Sequence, residues 1–293
     1  MCRLLILLLF FSINVNAQEA SVFDLKAIRA FAKKDSLRKD SIKTSILNTK
    51  WNNNIYNPYK NEEIQFPFLL EFNDIFYASP ISKENVITSR YGWRWGRAHK
   101  GIDIDLISGE DVLTMFDGKV RFVGYHSGHG KTVIVRHYNG LETVYAHLSK
   151  YSVKINDTVV KGQSIGKGGR TGNARGSHVH LEAIYKGNYI NPEYLFSFDE
   201  NRKIKKLAFW ITKDWVTPYF HNSRRPSEFV YFDTYEEAKQ SKGIEQKIYV
   251  VKRGDTLYDI SRKHNISISR ICKANAIRKS STLKIGQQLV LGY

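Results

Sequence analysis

Residues 176–182 read Gly176-Ser177-His178-Val179-His180-Leu181-Glu182. In an extended chain successive side chains point to opposite faces, so residues i and i+2 share one. His178 and His180 therefore point the same way, with Val179 and Leu181 behind them in a core. The surrounding text, from Pro80 to Phe198, has one texture. Short apolar, β-branched and aromatic segments alternate with Gly-containing turns: Lys119–Tyr125, Thr132–His137, Glu142–Leu148, Ser164–Lys167 and Val179–Ile184. That pattern predicts a mainly β domain built on antiparallel sheet.

Two more patterns lie in the same stretch. His99-Lys-Gly-Ile-Asp103 is H-x-x-x-D, and its ends share a face if the segment is extended. Tyr145-Ala-His147 ends a strand. Two imidazole nitrogens and one carboxylate oxygen suit Zn²⁺, and a catalytic zinc keeps three protein ligands and an open position for water. Each pattern alone is a weak signal, because single histidines commonly serve structure. The set carries weight because it falls in order within one β-rich stretch.

With these motifs in view, residues 87–193 resemble the lysostaphin-type zinc metallopeptidases, a family of murein DD-endopeptidases. The matching text is Ile87-Thr-Ser-Arg-Tyr-Gly-Trp-Arg94, His99-Lys-Gly-Ile-Asp-Ile-Asp105, Gly118-Lys-Val120, Thr143-Val-Tyr-Ala-His-Leu-Ser149, Val160-Lys-Gly-Gln-Ser-Ile-Gly166, and Thr171-Gly172 before His178-Val-His-Leu-Glu182. The resemblance covers over a third of the chain. It implies a lysostaphin-like, barrel-sandwich type of domain over residues 61–198, with the active site in a groove across a sheet. It implies His99, Asp103 and His180 as ligands of one Zn²⁺. It implies His147 and His178 as two unliganded catalytic histidines. One carboxylate and two neutral imidazoles leave a formal +1 on zinc, which lowers the pKa of bound water toward about 7. A nearby His can carry the proton, and another can hydrogen-bond the oxyanion. The sequence does not divide those roles between His147 and His178. It departs from the family at Gly128-His129-Gly130-Lys131, which places His126 and His129 in a loop near the cleft, read as solvated. His137 is read as structural. His221 and His264 carry no motif.

The last 45 residues, 249–293, carry Tyr249-Val-Val-Lys-Arg-Gly-Asp-Thr-Leu-Tyr-Asp-Ile-Ser261, Asn275 and Ile285-Gly-Gln-Gln-Leu-Val-Leu291. Their strand and helix signals predict a small α+β unit of βααβ order. The text resembles a LysM domain, which implies binding of N-acetylglucosamine-containing glycan. By that resemblance Gly254, Asp255, Thr256 and Leu257 would line one side of a shallow groove, and the loop at Asn275, Ala276 and Ile277 the other.

The ends and links complete the reading. Arg3, the apolar run Leu4–Ile13, and the small residues Val15 and Ala17 have the layout of a secretory signal peptide cleaved near Ala17. A run of ten residues is too short to span about 30 Å of hydrocarbon. The chain is therefore expected to be exported to periplasm, envelope or exterior, without stable membrane insertion and as a monomer. Residues 18–60 read as an amphipathic helical arm and an Asn/Pro-containing linker, Trp51–Lys60. Residues 199–248 read as a connecting segment of uncertain fold with a short helix near Asp233–Lys242. Loss of Arg3 leaves 44 basic against 28 acidic residues, a charge of +16, of which 249–293 holds +7. An anionic cell envelope, with peptidoglycan as substrate and anchor, suffices as partner. A nucleic-acid partner would rest on charge alone and is set aside. Loss of Cys2 leaves only Cys272, so no intrachain disulfide forms. The competing expectation is a non-catalytic wall-binding protein on a peptidase scaffold. Such a protein would be expected to lose ligands, whereas all five site positions are kept here.

Overall fold

A computed structural model describes residues 49–60, 62–241 and 247–291. The expected leader at 1–17 and the arm through residue 48 lie outside the described residues. Among the described residues no helix is long and apolar enough to cross a membrane.

The chain is mainly antiparallel β. Strands β1 (Phe68–Glu71), β2 (Ile87–Ser89), β3 (Gly92–Arg94), β4 (Arg97–His99), β5 (Ile102–Asp105) and β6 (Asp111–Leu113) lead into a meander of long strands. These are β7 (Gly118–His126), β8 (Gly130–His137) and β9 (Leu141–Leu148). Then come β10 (Lys150–Tyr151), β11 (Thr158–Val159), β12 (Ser164–Lys167), β13 (His178–Tyr185) and β14 (Asn188–Ile190). The main sheet runs β11-β7-β8-β9-β13-β5-β2, with β14 on β13, and β10-β12-β6 form a second sheet. Val179 and Leu181 are buried in the core between them, as the alternation predicted.

The register of β13 positions the site. His180 pairs with Asp103 of β5 on one side and with Ala146 of β9 on the other. Directly opposed residues have Cβ atoms about 5 Å apart, so His180 and Asp103 meet without a loop to aim them. Gly101 lets β5 pack this closely: a Cβ there would lie 2.3 Å from the Leu181 carbonyl oxygen.

Two segments outside the expected peptidase domain pack on the main body. Residues 49–60 are not a free linker. They lie against the sheet, where Arg121 donates to the carbonyls of Asn52 and Ile55 at 2.8 Å each and of Tyr56 at 2.6 Å. Arg121 and Arg136 are fully buried around Glu142, which makes salt bridges to both. Trp51 and Tyr59 cover Arg136 with their rings, at 5.2 and 5.6 Å. The reason is electrostatic: a buried guanidinium is costly without partners, and strap carbonyls give Arg121 and Arg136 hydrogen bonds that Glu142 alone cannot. After α1 (Pro192–Leu195), the segment from 199 also joins the main body. Its β15 (Ala208–Ile211) pairs with β1, and Phe209, Ile211 and Trp215 enter the same core. The helix predicted near 233–242 is α2 (Tyr235–Gln240).

The C-terminal unit has the predicted βααβ order: β16 (Lys247–Val250), α3 (Leu257–His264), α4 (Ile268–Asn275) and β17 (Gln288–Leu291). Thr256 and Ser267 cap the two helices by accepting from the Asp259 and Arg270 amides. Its own core includes Val251, Leu257, Ile260, Ile271, Leu289 and Leu291.

Candidate metal centre

Three donor atoms converge at the β4–β5–β13 junction. His180 Nδ1 lies 2.8 Å from Asp103 Oδ1, His99 Nε2 lies 3.0 Å from the same oxygen, and the two nitrogens are 3.1 Å apart. All three side chains are buried. Ligands at about 2.0–2.1 Å from a tetrahedral ion are spaced by about 3.3 Å, so this triangle of N, N and O donors fits zinc. The outer contacts fix the tautomers. His99 Nδ1 is 2.7 Å from the Arg90 carbonyl, to which it donates, leaving Nε2 for the centre. His180 turns Nε2 toward Glu182 Oε1 at 3.3 Å, leaving Nδ1. Metal-binding histidines are oriented in this way by carbonyls and carboxylates. Burial alone would raise the Asp103 carboxyl, but the close approach of His180 and His99 outweighs it and holds the group below the usual carboxylate range.

His147 and His178 stand beside the triangle. Their ring centroids are 4.7 Å apart, and His178 Nε2 is 3.6 Å from Asp103 Oδ1. His147 Nδ1 donates to the Thr171 carbonyl at 2.7 Å, so its Nε2 is the free nitrogen. Burial, then the neighbouring His180, pushes the His147 pKa down to about 4, so the ring is neutral near pH 7. His147 also holds φ at 62°, a left-handed conformation that costs a non-glycine residue about 1–3 kcal/mol. Its amide is pinned to the His129 carbonyl at 2.8 Å.

The structure thus brings together all five of the residues the sequence singled out: His99, Asp103, His147, His178 and His180. It also adds three. Glu182 is buried, and its Oε1 lies 3.2 Å from His129 Nε2 as well as 3.3 Å from His180 Nε2. Tyr56 donates to its other oxygen at 2.5 Å and stacks on His126 with ring centroids 4.2 Å apart. His129, read as a solvated loop residue, is therefore in the network. Glu182 was legible in principle, since it follows His180 by two and shares its face. Tyr56, 126 residues away in sequence, had no local signal.

With that geometry in place, comparison with known proteins decides the family. Residues 97–192 match the model of Peptidase family M23.

This segment is an M23 peptidase domain.

Residues 249–292 match the LysM model and form a LysM domain. The chain is 41% identical, over 113 residues, to a protein named DD-carboxypeptidase/endopeptidase Mpg from Neisseria meningitidis serogroup B. That match takes in 36% of this chain and 26% of the relative. Identity is 40% over 93 residues to peptidoglycan DD-endopeptidase ShyA of Vibrio cholerae, 32% of this chain and 22% of that one. The matched segments span about a quarter of the length of these relatives. Among solved structures, a zinc containing peptidase from Vibrio cholerae shares 31% identity over 40% of this chain and 39% of that one, with a TM-score of 0.38.

The LysM domain corrects part of the expected groove. Asn275 is fully buried, its amide nitrogen donating to the Ile271 and Val290 carbonyls at 2.8 and 2.7 Å. Its amide oxygen accepts from the Val290 amide at 2.7 Å. Asn275 ties α4 to β17 and has no side-chain group left for a sugar. Ala276 is buried as the left-handed cap of α4, and Leu257 is in the core. Gly254 and Thr256 are exposed, while Asp255 and Ile277 are half-buried.

Proposed function

We propose that the chain is an exported, zinc-dependent endopeptidase that hydrolyses peptide bonds in the stem peptides or cross-links of peptidoglycan and so remodels the cell wall. The observation that carries this reading is the buried donor triangle of His99, Asp103 and His180 with two further histidines at its open side. The LysM domain holds the enzyme on N-acetylglucosamine-containing glycan. Such tethering raises the local concentration of substrate at the catalytic domain.

His99, Asp103 and His180 would hold the ion. When bound, zinc supplies a Lewis acid and a water acidified toward neutrality. The protein's own groups do the rest. His147, kept neutral, offers Nε2 as a proton acceptor, and its Nδ1 bond to Thr171 holds the ring in place. His178 donates Nδ1–H to the Gly176 carbonyl at 3.0 Å and is the more accessible of the pair. Once it also carries a proton on Nε2, it is placed to hydrogen-bond charge that develops on the substrate carbonyl oxygen. Glu182 and Arg90 orient the two metal-binding imidazoles from behind.

The test is zinc content together with muropeptide release from purified wall, with and without a chelator. Stoichiometric zinc and chelator-sensitive release are expected. A fully zinc-loaded protein that releases no muropeptide on long incubation would sink the proposal in favour of a scaffold role.

A further inference from the structure

A groove of about 520 Å³ lies directly beside the metal centre, and its lining is basic and aromatic: Ser89, Arg90, Arg94, Trp95, Ser223 and Arg224 among others. Arg94 forms the wall shared with the centre. Its Nη2 is 3.5 Å from Asp103 Oδ2, the carboxylate oxygen other than the one facing His99 and His180, and its Nη1 donates to Ser89. Trp95 is half exposed, at 50%, and its indole is flanked by two guanidiniums, Arg94 at 5.3 Å and Arg224 at 5.8 Å. Arg97 and Arg175 lie near enough to repel Arg94. Arg90 is neutralised by Glu193. Among the described residues the Arg224 guanidinium meets the Trp95 ring and no carboxylate. The Arg94 carboxylate partner is a residue of the metal triangle.

The groove is also rigidly framed. The Trp95 amide donates to the Asn275 carbonyl at 3.2 Å, and Asn222 Nδ2 donates to the Lys273 carbonyl at 2.6 Å. Both lips are thereby anchored on α4 of the LysM domain, so the groove sits at the seam between the hydrolytic and glycan-binding units. Like charges held together on a fixed frame are costly unless an anion joins them, and a guanidinium fork suits a carboxylate in two-point contact. A peptide lying across the centre brings its own anions into this groove, and those are carboxylates.

We propose that this groove is a carboxylate subsite of the peptidase, in which Arg224 and Arg94 bind a free carboxylate of the peptide substrate close to the scissile bond and the Trp95 ring packs on its flank. This deepens, and rests on, the endopeptidase reading. It makes the enzyme selective for substrates whose carboxylate beside the cleaved amide is free rather than amidated.

The experiment uses the full zinc-loaded protein and two synthetic stem-peptide dimers, identical except that the carboxylate next to the cross-link is free in one and amidated in the other. Binding is measured by titration calorimetry with the His147→Ala protein, and cleavage with the wild type. The free carboxylate should bind and react about tenfold better, chiefly through KM, as expected for one charge-assisted contact. Arg224→Gln, an exposed polar replacement, should remove most of that preference. Arg224→Lys should restore only part, because the two-point fork is lost. Equal handling of both peptides by the wild type, or a preference that survives Arg224→Gln and Arg94→Gln, overturns the subsite. If neither peptide is cut but the binding preference and its loss in Arg224→Gln hold, the subsite stands and the endopeptidase reading fails. Inorganic phosphate is the third arm: tighter binding of phosphate than of the free-carboxylate peptide would reassign the groove to a phosphate-bearing envelope polymer.

Discussion

The Glu182 carboxylate lies 3.3 Å from Nε2 of His180, on the ring edge opposite the one that meets Asp103. One imidazole thus links the donor triangle to a buried network of Glu182, His129 and Tyr56. Loss of such an outer contact commonly weakens metal binding by about 10–100-fold. Glu182→Gln is expected to lower zinc affinity by about that factor, read by competition with a chromogenic chelator. Tyr56→Phe should have a smaller effect of the same sign. Unchanged affinity in Glu182→Gln would remove Glu182 from the orienting role.

Substitutions within the site should separate metal binding from proton transfer. His180→Ala is expected to lose zinc and activity together. His147→Ala should retain zinc, measured by elemental analysis, and lose about 10²–10⁴ in kcat, the usual worth of a positioned acid or base. Near-normal turnover in His147→Ala would show the role assignment to be wrong.

The buried Arg121–Glu142–Arg136 cluster makes a stability prediction. Glu142→Gln leaves two buried guanidiniums without their counter-charge and should destabilise the fold by about 3–5 kcal/mol, measured by urea unfolding. A loss within about 1 kcal/mol would mean that the strap carbonyls alone satisfy the pair.

Two buried histidines away from the centre predict acid sensitivity. His137 sits between the Asp117 carbonyl and the Thr143 hydroxyl, and His221 between the Asp214 carbonyl and the Ser227 hydroxyl. Burial pushes both pKa values down to about 4, against their backbone hydrogen bonds. The unfolded chain titrates near 6.5, so between about pH 6.5 and 4 it binds more protons than the folded one. Stability therefore falls as pH drops through that window, by up to about 3 kcal/mol for each group, and is independent of these groups above it. Urea midpoints of the chelator-treated protein should decline accordingly. Imidazole NMR resonances of His137 and His221 that titrate near 6.5 in the folded protein would refute the assignment.

Much of the M23 domain was legible because its signals are local. Alternation in Val179–Ile184, turn residues between short apolar runs, and the shared face of His178 and His180 follow from backbone geometry alone. The βααβ unit was legible for the same reason, its caps and helix patterns lying within a few residues of each other. Asn275 was misread because a polar residue in a loop and one buried between helix and strand look alike until β17 is placed beside α4.

The sequence by itself thus showed the longer strands and, through local motifs and family resemblance, pointed to the five candidate site positions and the two unit types, since such signals lie within single elements. Only the tertiary structure decided that residues 49–60 strap the sheet, that His129 and Tyr56 close on Glu182, and that Arg94, Trp95 and Arg224 frame one groove. Those contacts join elements from 53 to more than 120 residues apart, or bind backbone carbonyls that any residue type could present. They leave no periodicity to read. The strap and the Glu182 network follow from the need of buried charges for partners once the chain has closed around them.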